Sequence, residues 1–118
     1  MDIGGKGLEE VNLTIPQGTS LTFTVIHKDD RGQVIDHSGS TAAMALQTKD
    51  KKSTHDMDAC CTCAESGIYV SLPAAATDAL PLGKYNWDLI VTQSNGAVVR
   101  LCYGIAQVVD TYALDDED

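Results

Sequence analysis

"LPLGKYNWDLIVTQSNGAVVRLCYG", residues 80–104, decides how the rest of the chain is read. Tyr85, Trp87, Leu89 and Val91 alternate with Asn86, Asp88 and Ile90. A two-residue repeat sends the two sets of side chains to opposite faces of a strand. The pair Asn95-Gly96 interrupts the pattern, and apolar text resumes at Ala97. Asn-Gly is the strongest short hairpin signal, through a type I′ turn with positive φ at both positions. The stretch therefore predicts a hairpin whose return strand runs over 97–109, with Gly104 as a bulge or a point of close contact. The only Trp of the chain falls on the inward face of the first strand, where a large ring plugs a core.

The same alternation extends in both directions. "VNLTI" (11–15), "SLTFTVIHK" (20–28), "TAAMALQTK" (41–49), "HDMDACCTC" (55–63) and "IYVSL" (68–72) read as strands, with a short extended piece near 33–36. Turn residues separate them: "PQG", "DDRG", "KDKKST" and "ESG". "PAAATDAL" (73–80) breaks the rhythm, and its Pro start followed by alanines predicts one helical turn near 74–80. About seven or eight short strands at this spacing specify an all-β fold, an antiparallel β-sandwich of immunoglobulin-like type. A flexible arm is expected over 1–10, one sandwich domain over 11–110, and an acidic tail over 111–118.

Composition narrows the function classes. The 118 residues hold 43% apolar and only 5% aromatic residues, so aliphatic side chains and Ala must fill the core. The net charge of −9 argues against a nucleic-acid groove, which needs clustered Lys and Arg, and against an anionic membrane surface. It fits a soluble surface or a basic protein partner. The N-terminus lacks the basic and apolar regions of a secretory signal, and no apolar run is long enough to span a bilayer. A reducing cytosol is thus expected, with the four cysteines as thiols and the sequon Asn12-Leu13-Thr14 unused.

No catalytic, cofactor-binding or metal-binding residue stands out. Cys60 and Cys63 form a C-x-x-C pair, with Cys61 between them. Redox use would need a following helix to lower a thiol pKa, and the surrounding text reads as strand. Zinc would need four convergent ligands, with His55 or Cys102 as a remote fourth; in an unbroken strand Cys60 faces away from Cys61 and Cys63. The three histidines, His27, His37 and His55, fall near strand ends or turns and are expected in solvent. Asp29-Asp30 lies in a turn and Asp115-Asp116 in the tail, without an apolar pocket to raise a carboxyl pKa. "GGKG" (4–7) lacks a preceding strand and P-loop spacing. Sugar platforms use exposed aromatic rings; Phe23, Tyr69, Tyr85 and Trp87 are expected inside, which leaves Tyr103 and Tyr112.

The order of the pieces carries a resemblance. "LTIPQGTSLTFTV", "DDRGQVIDHSGSTAAMALQ", "ESGIYVSLPAAATDALPLGKYNWDLIV" and "NGAVVRLCYG" follow one another as strand, turn and strand, with G-I-x-V-x-L, L-P-x-G-x-Y-x-W-D-L and G-x-V-x-R-L-x-x-G as fixed patterns. Over residues 11 to 110 this resembles small structural proteins of tailed-bacteriophage virions, in particular the β-sandwich N-terminal module of upper-baseplate and tail-fibre proteins. The resemblance implies a non-enzymatic virion component. It would be assembled in the bacterial host cytoplasm and docked on other virion proteins such as portal, tail, baseplate, fibre or capsid proteins. Those modules anchor longer proteins, and this chain stops at Asp118, so a free-standing adaptor, collar, baseplate or head-decoration subunit is expected. A homo-oligomer is expected, because a free β-edge is a pairing surface. A carbohydrate- or metal-binding sandwich is the alternative.

Overall fold

The computed structural model describes residues 2–4 and 7–111. Its strands are β1 (Asp2–Ile3), β2 (Glu9–Glu10), β3 (Leu13–Pro16), β4 (Leu21–His27), β5 (Thr41–Thr48), β6 (Thr54–Asp56), β7 (Cys61–Ala64), β8 (Gly67–Leu72), β9 (Gly83–Thr92) and β10 (Val98–Val109). A single helical turn, α1 (Ala74–Asp78), lies between β8 and β9, where the alanine run predicts it. The strands form two sheets, ordered β1-β4-β8-β7 and β2-β10-β9-β5-β6, with β3 continuing beside β10 after β2. These are the ABED and GFCC′ orders of an immunoglobulin-like sandwich.

The β9–β10 hairpin is the centre of the larger sheet. Tyr85, Trp87, Leu89 and Val91 are buried, as their alternation requires. The turn departs from the expected type I′. Asn95 does not have positive φ, while Gly96 does, at 89°. Gln93 N–H donates to the Ala97 carbonyl and Gly96 N–H to the Gln93 carbonyl, both at 2.8 Å. This is a three-residue loop, a type I turn closed by a left-handed glycine. The bulge in β10 also falls elsewhere than Gly104. Register slips between Arg100 and Cys102, so Leu101 is the extra residue and both Leu101 and Cys102 turn inward.

Gly104 is instead a point of close contact. It pairs with Trp87 across the hairpin. A Cβ at Gly104 would run into the Val11 carbonyl and crowd Asn12 Oδ1. That clearance lets the Trp87 indole N–H donate to the Val11 carbonyl at 2.8 Å, while Ile105 N–H donates to Asn12 Oδ1 at 3.0 Å. On its other side Trp87 meets Phe23 from β4 in a T-shaped contact, centroids 6.2 Å apart and planes at 79°. Tyr85, two residues before Trp87, donates its hydroxyl to the Pro81 carbonyl at 2.6 Å. This is the tyrosine corner of immunoglobulin-like domains, where a half-cystine follows two residues later. Here Trp87 takes that place, and the Phe23–Trp87 contact joins the sheets where a disulfide would otherwise lie; all four cysteines are free.

The N-terminal stretch differs most from its sequence reading. Among its described residues, β1 pairs with β4, and β2 and β3 pair with β10, all in parallel. Ile3 is buried against the core. The chain thus crosses from one sheet to the other within its first sixteen residues, and the sandwich is not wholly antiparallel. Met1, Gly5 and Lys6 of the expected arm, and residues 112–118 of the expected acidic tail, lie outside the described residues. At the opposite end, buried Thr77 of α1 accepts from Gly18 N–H at 3.0 Å and donates to the Thr19 carbonyl at 2.7 Å, tying the β3–β4 turn to the helical turn.

Gly104→Ala is expected to destabilise the fold by about 1–3 kcal/mol, since backbone atoms must move to admit the methyl group. Urea denaturation checks this: an unchanged midpoint would show that Val11 does not press on Gly104.

Candidate interaction surface

The outer face of the larger sheet is built by register. Ala43, Ile90 and Arg100 lie side by side across β5, β9 and β10. The next row is Asp56, Ala45, Asp88 and Tyr103, and the third is Thr54, Gln47, Asn86 and Ile105. Small Ala45 and the backbone of Gly104 flank the β9 residues, and the face holds a hollow of 410 Å³ lined also by Gln47, Thr54, Asn86, Trp87, Asp88, Arg100 and Tyr103. Arg100 Nε lies 3.3 Å from Asp88 Oδ2, and the guanidinium sits 4.8 Å from the centre of the Tyr103 ring. Gln47 Nε2 donates to Thr54 Oγ1 at 3.2 Å. A second, more apolar hollow of 230 Å³ adjoins it over Ala43 and Ala45, rimmed by Asp56, Asp58 and Asp88.

Of the residues weighed in the sequence, Tyr103 and Trp87 line the hollow, whereas the cysteines and histidines do not. The strand read over 55–63 is broken: β6 ends at Asp56, a 3-10 turn spans Asp58–Cys60, and β7 begins at Cys61. Asp58 causes the break, because its carboxylate accepts from Met44 N–H at 2.8 Å and pulls the segment against β5. Even so, among the described residues no group of three or more His, Cys, Asp or Glu side chains is placed to hold a metal. Burial pushes the Cys61 thiol up to about 12, helped by neighbouring Cys60 and Asp58, and the Cys102 thiol likewise up to about 12, with Asp88 adding to it. Cys60 and Cys63 are also raised by burial. Such thiols hold little thiolate, the reactive form.

The histidine expectation is overturned at two positions. His27 and His37 are 1% and 0% exposed. His27 Nδ1 and His37 Nε2 are 2.8 Å apart, with the rings stacked at 11°. His37 Nδ1 lies 3.3 Å from Ser40 Oγ, and His37 N–H donates to the Ala64 carbonyl at 3.1 Å. The pair therefore pins the long β4–β5 connection over the end of the sandwich. His27 shares the inward face of β4 with Val25, a parity visible in the sequence. His55 is half-buried and meets the Tyr85 ring edge-on at 5.7 Å. Tyr69, expected inside, is 40% exposed, opposite in parity to buried Ile68 and Val70. Tyr103 is half-buried under Arg100, and Tyr112 lies outside the described residues. Asp29 accepts from Arg31 and Gln33 N–H at 2.9 Å each, which is the turn its residue type predicts.

Two outcomes follow from these titrating groups. Burial, then the neighbouring His27, holds the His37 imidazole below its ordinary value of 6.5, while Asp36 acts the other way. The unfolded chain takes up that proton at higher pH than the folded one, so stability is full above about pH 6.5 and falls as the pH drops below it. Urea midpoints at about pH 7.5 and about pH 5.5 should separate in the native protein and converge in His37→Gln; an equal separation in the variant contradicts the assignment. The folded protein should react with a disulfide reagent at about pH 8 far more slowly than the urea-unfolded chain, and equal rates would show open thiols.

No family model and no curated protein matches the chain. Among solved structures it is similar to the N-terminal domain of phage TP901-1 ORF48, with a TM-score of 0.51 and 13% identity, over 91% of this chain and 93% of that one. At this identity the likeness establishes a shared fold over nearly the whole of both chains.

Proposed function

We propose that the chain is a non-enzymatic structural module of a bacteriophage virion, working as a tail, baseplate or collar adaptor or a fibre-anchoring subunit through protein–protein contacts. The observation that supports this reading is the shared fold with a phage domain over 91% and 93% of the two chains. The ordered strand-and-turn patterns of residues 11 to 110 point to the same class of protein. The side chains capable of chemistry fit the reading, since the thiols are held protonated and the two inner histidines are tied to each other.

The edges and faces suggest how such a module assembles. The outer strands β1, β6 and β7 are only two, three and four residues long. Short edges offer few backbone groups to a neighbouring chain, a common protection against uncontrolled pairing. Contacts within a ring or array are therefore assigned to the sheet faces and the loop ends, with a partner whose basic groups answer the net charge of −9. The destination is the virion, reached by assembly in the host cytoplasm, with other virion proteins and further copies of this chain as partners.

Mass spectrometry of purified virions of the encoding phage tests the proposal. The chain should be present at a fixed copy number, low for a tail, baseplate or collar ring; a number near that of the major capsid protein would instead make it a head-decoration subunit. Absence from virions, together with a strict monomer by light scattering that fails to bind them, would overturn it.

A further inference from the structure

The 410 Å³ hollow on the outer face of the larger sheet is unexplained by assembly alone. We infer that it is a binding site for a neutral saccharide, held by the Asn86 and Gln47 carboxamides, the Asp88–Arg100 pair and Tyr103. The inference is independent of the virion proposal, because a sugar can be bound wherever the protein resides.

Hydrogen-bonding capacity is the first argument. Among the described residues the Asn86 side chain has no partner, so two N–H donors and a carbonyl oxygen face the hollow unspent. Gln47 uses one N–H on Thr54 and keeps its carbonyl oxygen. Asp88 meets Arg100 through Oδ2, leaving Oδ1 to accept; Arg100 meets Asp88 through Nε, leaving its terminal nitrogens to donate. Donors and acceptors thus alternate over one concave surface. Adjacent sugar hydroxyls, each both donor and acceptor, match that alternation. The volume lies in the range of small-ligand sites, and the lining is more polar than such sites usually are.

Charge selects among polar ligands. Arg100 is already compensated by Asp88, so an anion would have to compete with the carboxylate and a cation would face the guanidinium. A neutral ligand meets neither penalty. Peptide addition is disfavoured by topology. β5, β9 and β10, which carry most of the hollow, are each flanked by strands on both sides, so their backbone groups are committed. A peptide strand needs an open edge, and a docked helix needs a row of apolar anchors, whereas this lining is mostly polar.

Position adds preorganisation. Ala45, Asp88 and Tyr103 are register neighbours on three bonded strands, and Gln47 and Asn86 form the adjacent pair. The guanidinium is fixed twice, by Asp88 and by the Tyr103 ring. Side chains on paired central strands lose little freedom when a ligand arrives, which limits the cost of binding.

The test is amide chemical-shift mapping of the full chain against methyl glucoside, methyl galactoside, rhamnose and N-acetylglucosamine, backed by an array of neutral glycans, with inorganic phosphate and glucuronate as charged controls. A neutral sugar should shift the amides of Ala45, Asn86, Asp88 and Gly104 in a saturable way. Asn86→Ala should weaken that binding at least about tenfold, the loss expected when a hydrogen-bonding group facing a bound polar ligand is removed. Gln47→Ala, on a different strand, provides a second arm should the first variant fold poorly. Silence of these amides across the whole neutral panel overturns the inference, as does an unchanged affinity in both folded variants or tighter binding of phosphate or glucuronate than of any neutral sugar.

Discussion

The contact that organises this sandwich is the Trp87 indole, gripped between Phe23 on one sheet and the Val11 carbonyl at the border of the other. Each partner of that contact imposes a condition. Gly104 must lack a side chain so that Val11 can approach. Val11 must lie where the chain passes from β2 to β3, so both short strands are placed beside β10. Phe23 must face inward, which sets the parity of β4 and carries His27 inside with it. Tyr85 then anchors the start of β9 to Pro81, holding Trp87 at its depth. A domain with free thiols throughout obtains by aromatic packing the cross-sheet link that related sandwiches obtain covalently.

Much of this was legible in local periodicity. The inward set of β9, the strand at residues 41–48 in spite of its alanines, and the helical turn after Pro73 all followed from pattern and punctuation. The errors have separate physical causes. Residue type alone places His27 in solvent, whereas its position in the alternation puts it with Leu21, Phe23 and Val25. The scarcity of aromatics places Tyr69 in the core, against the parity of Ile68 and Val70. In both cases the pattern outweighed residue preference. The break at Asp58 had no sequence signal, since it depends on the backbone of Met44 across the sheet. The parallel pairing of β3 with β10 joins residues more than ninety positions apart, a distance at which no local motif speaks.

The outer sheet face shows the same division. The alternation alone places Asn86 and Asp88 outward. That Gln47, Arg100 and Tyr103 join them follows only from strand order and from the slip at Leu101, which rotates Tyr103 and Arg100 to one side. A single inserted residue in β10 thus creates the grouping, because without it Arg100 and Tyr103 would point to opposite faces of the sheet.

The first sixteen residues clasp both sheets, and their partner on the larger sheet is the last strand described, Val98–Val109. During synthesis on the ribosome, Leu13–Pro16 emerges early and finds nothing to pair with until more than eighty further residues have been translated. The aromatic seat under Val11 likewise stays open over that interval, so the sandwich closes only once β10 is in place. Closure is thereby tied to translation of Val98–Val109, and products truncated before it lack the hydrogen bonds that join β3 to β10.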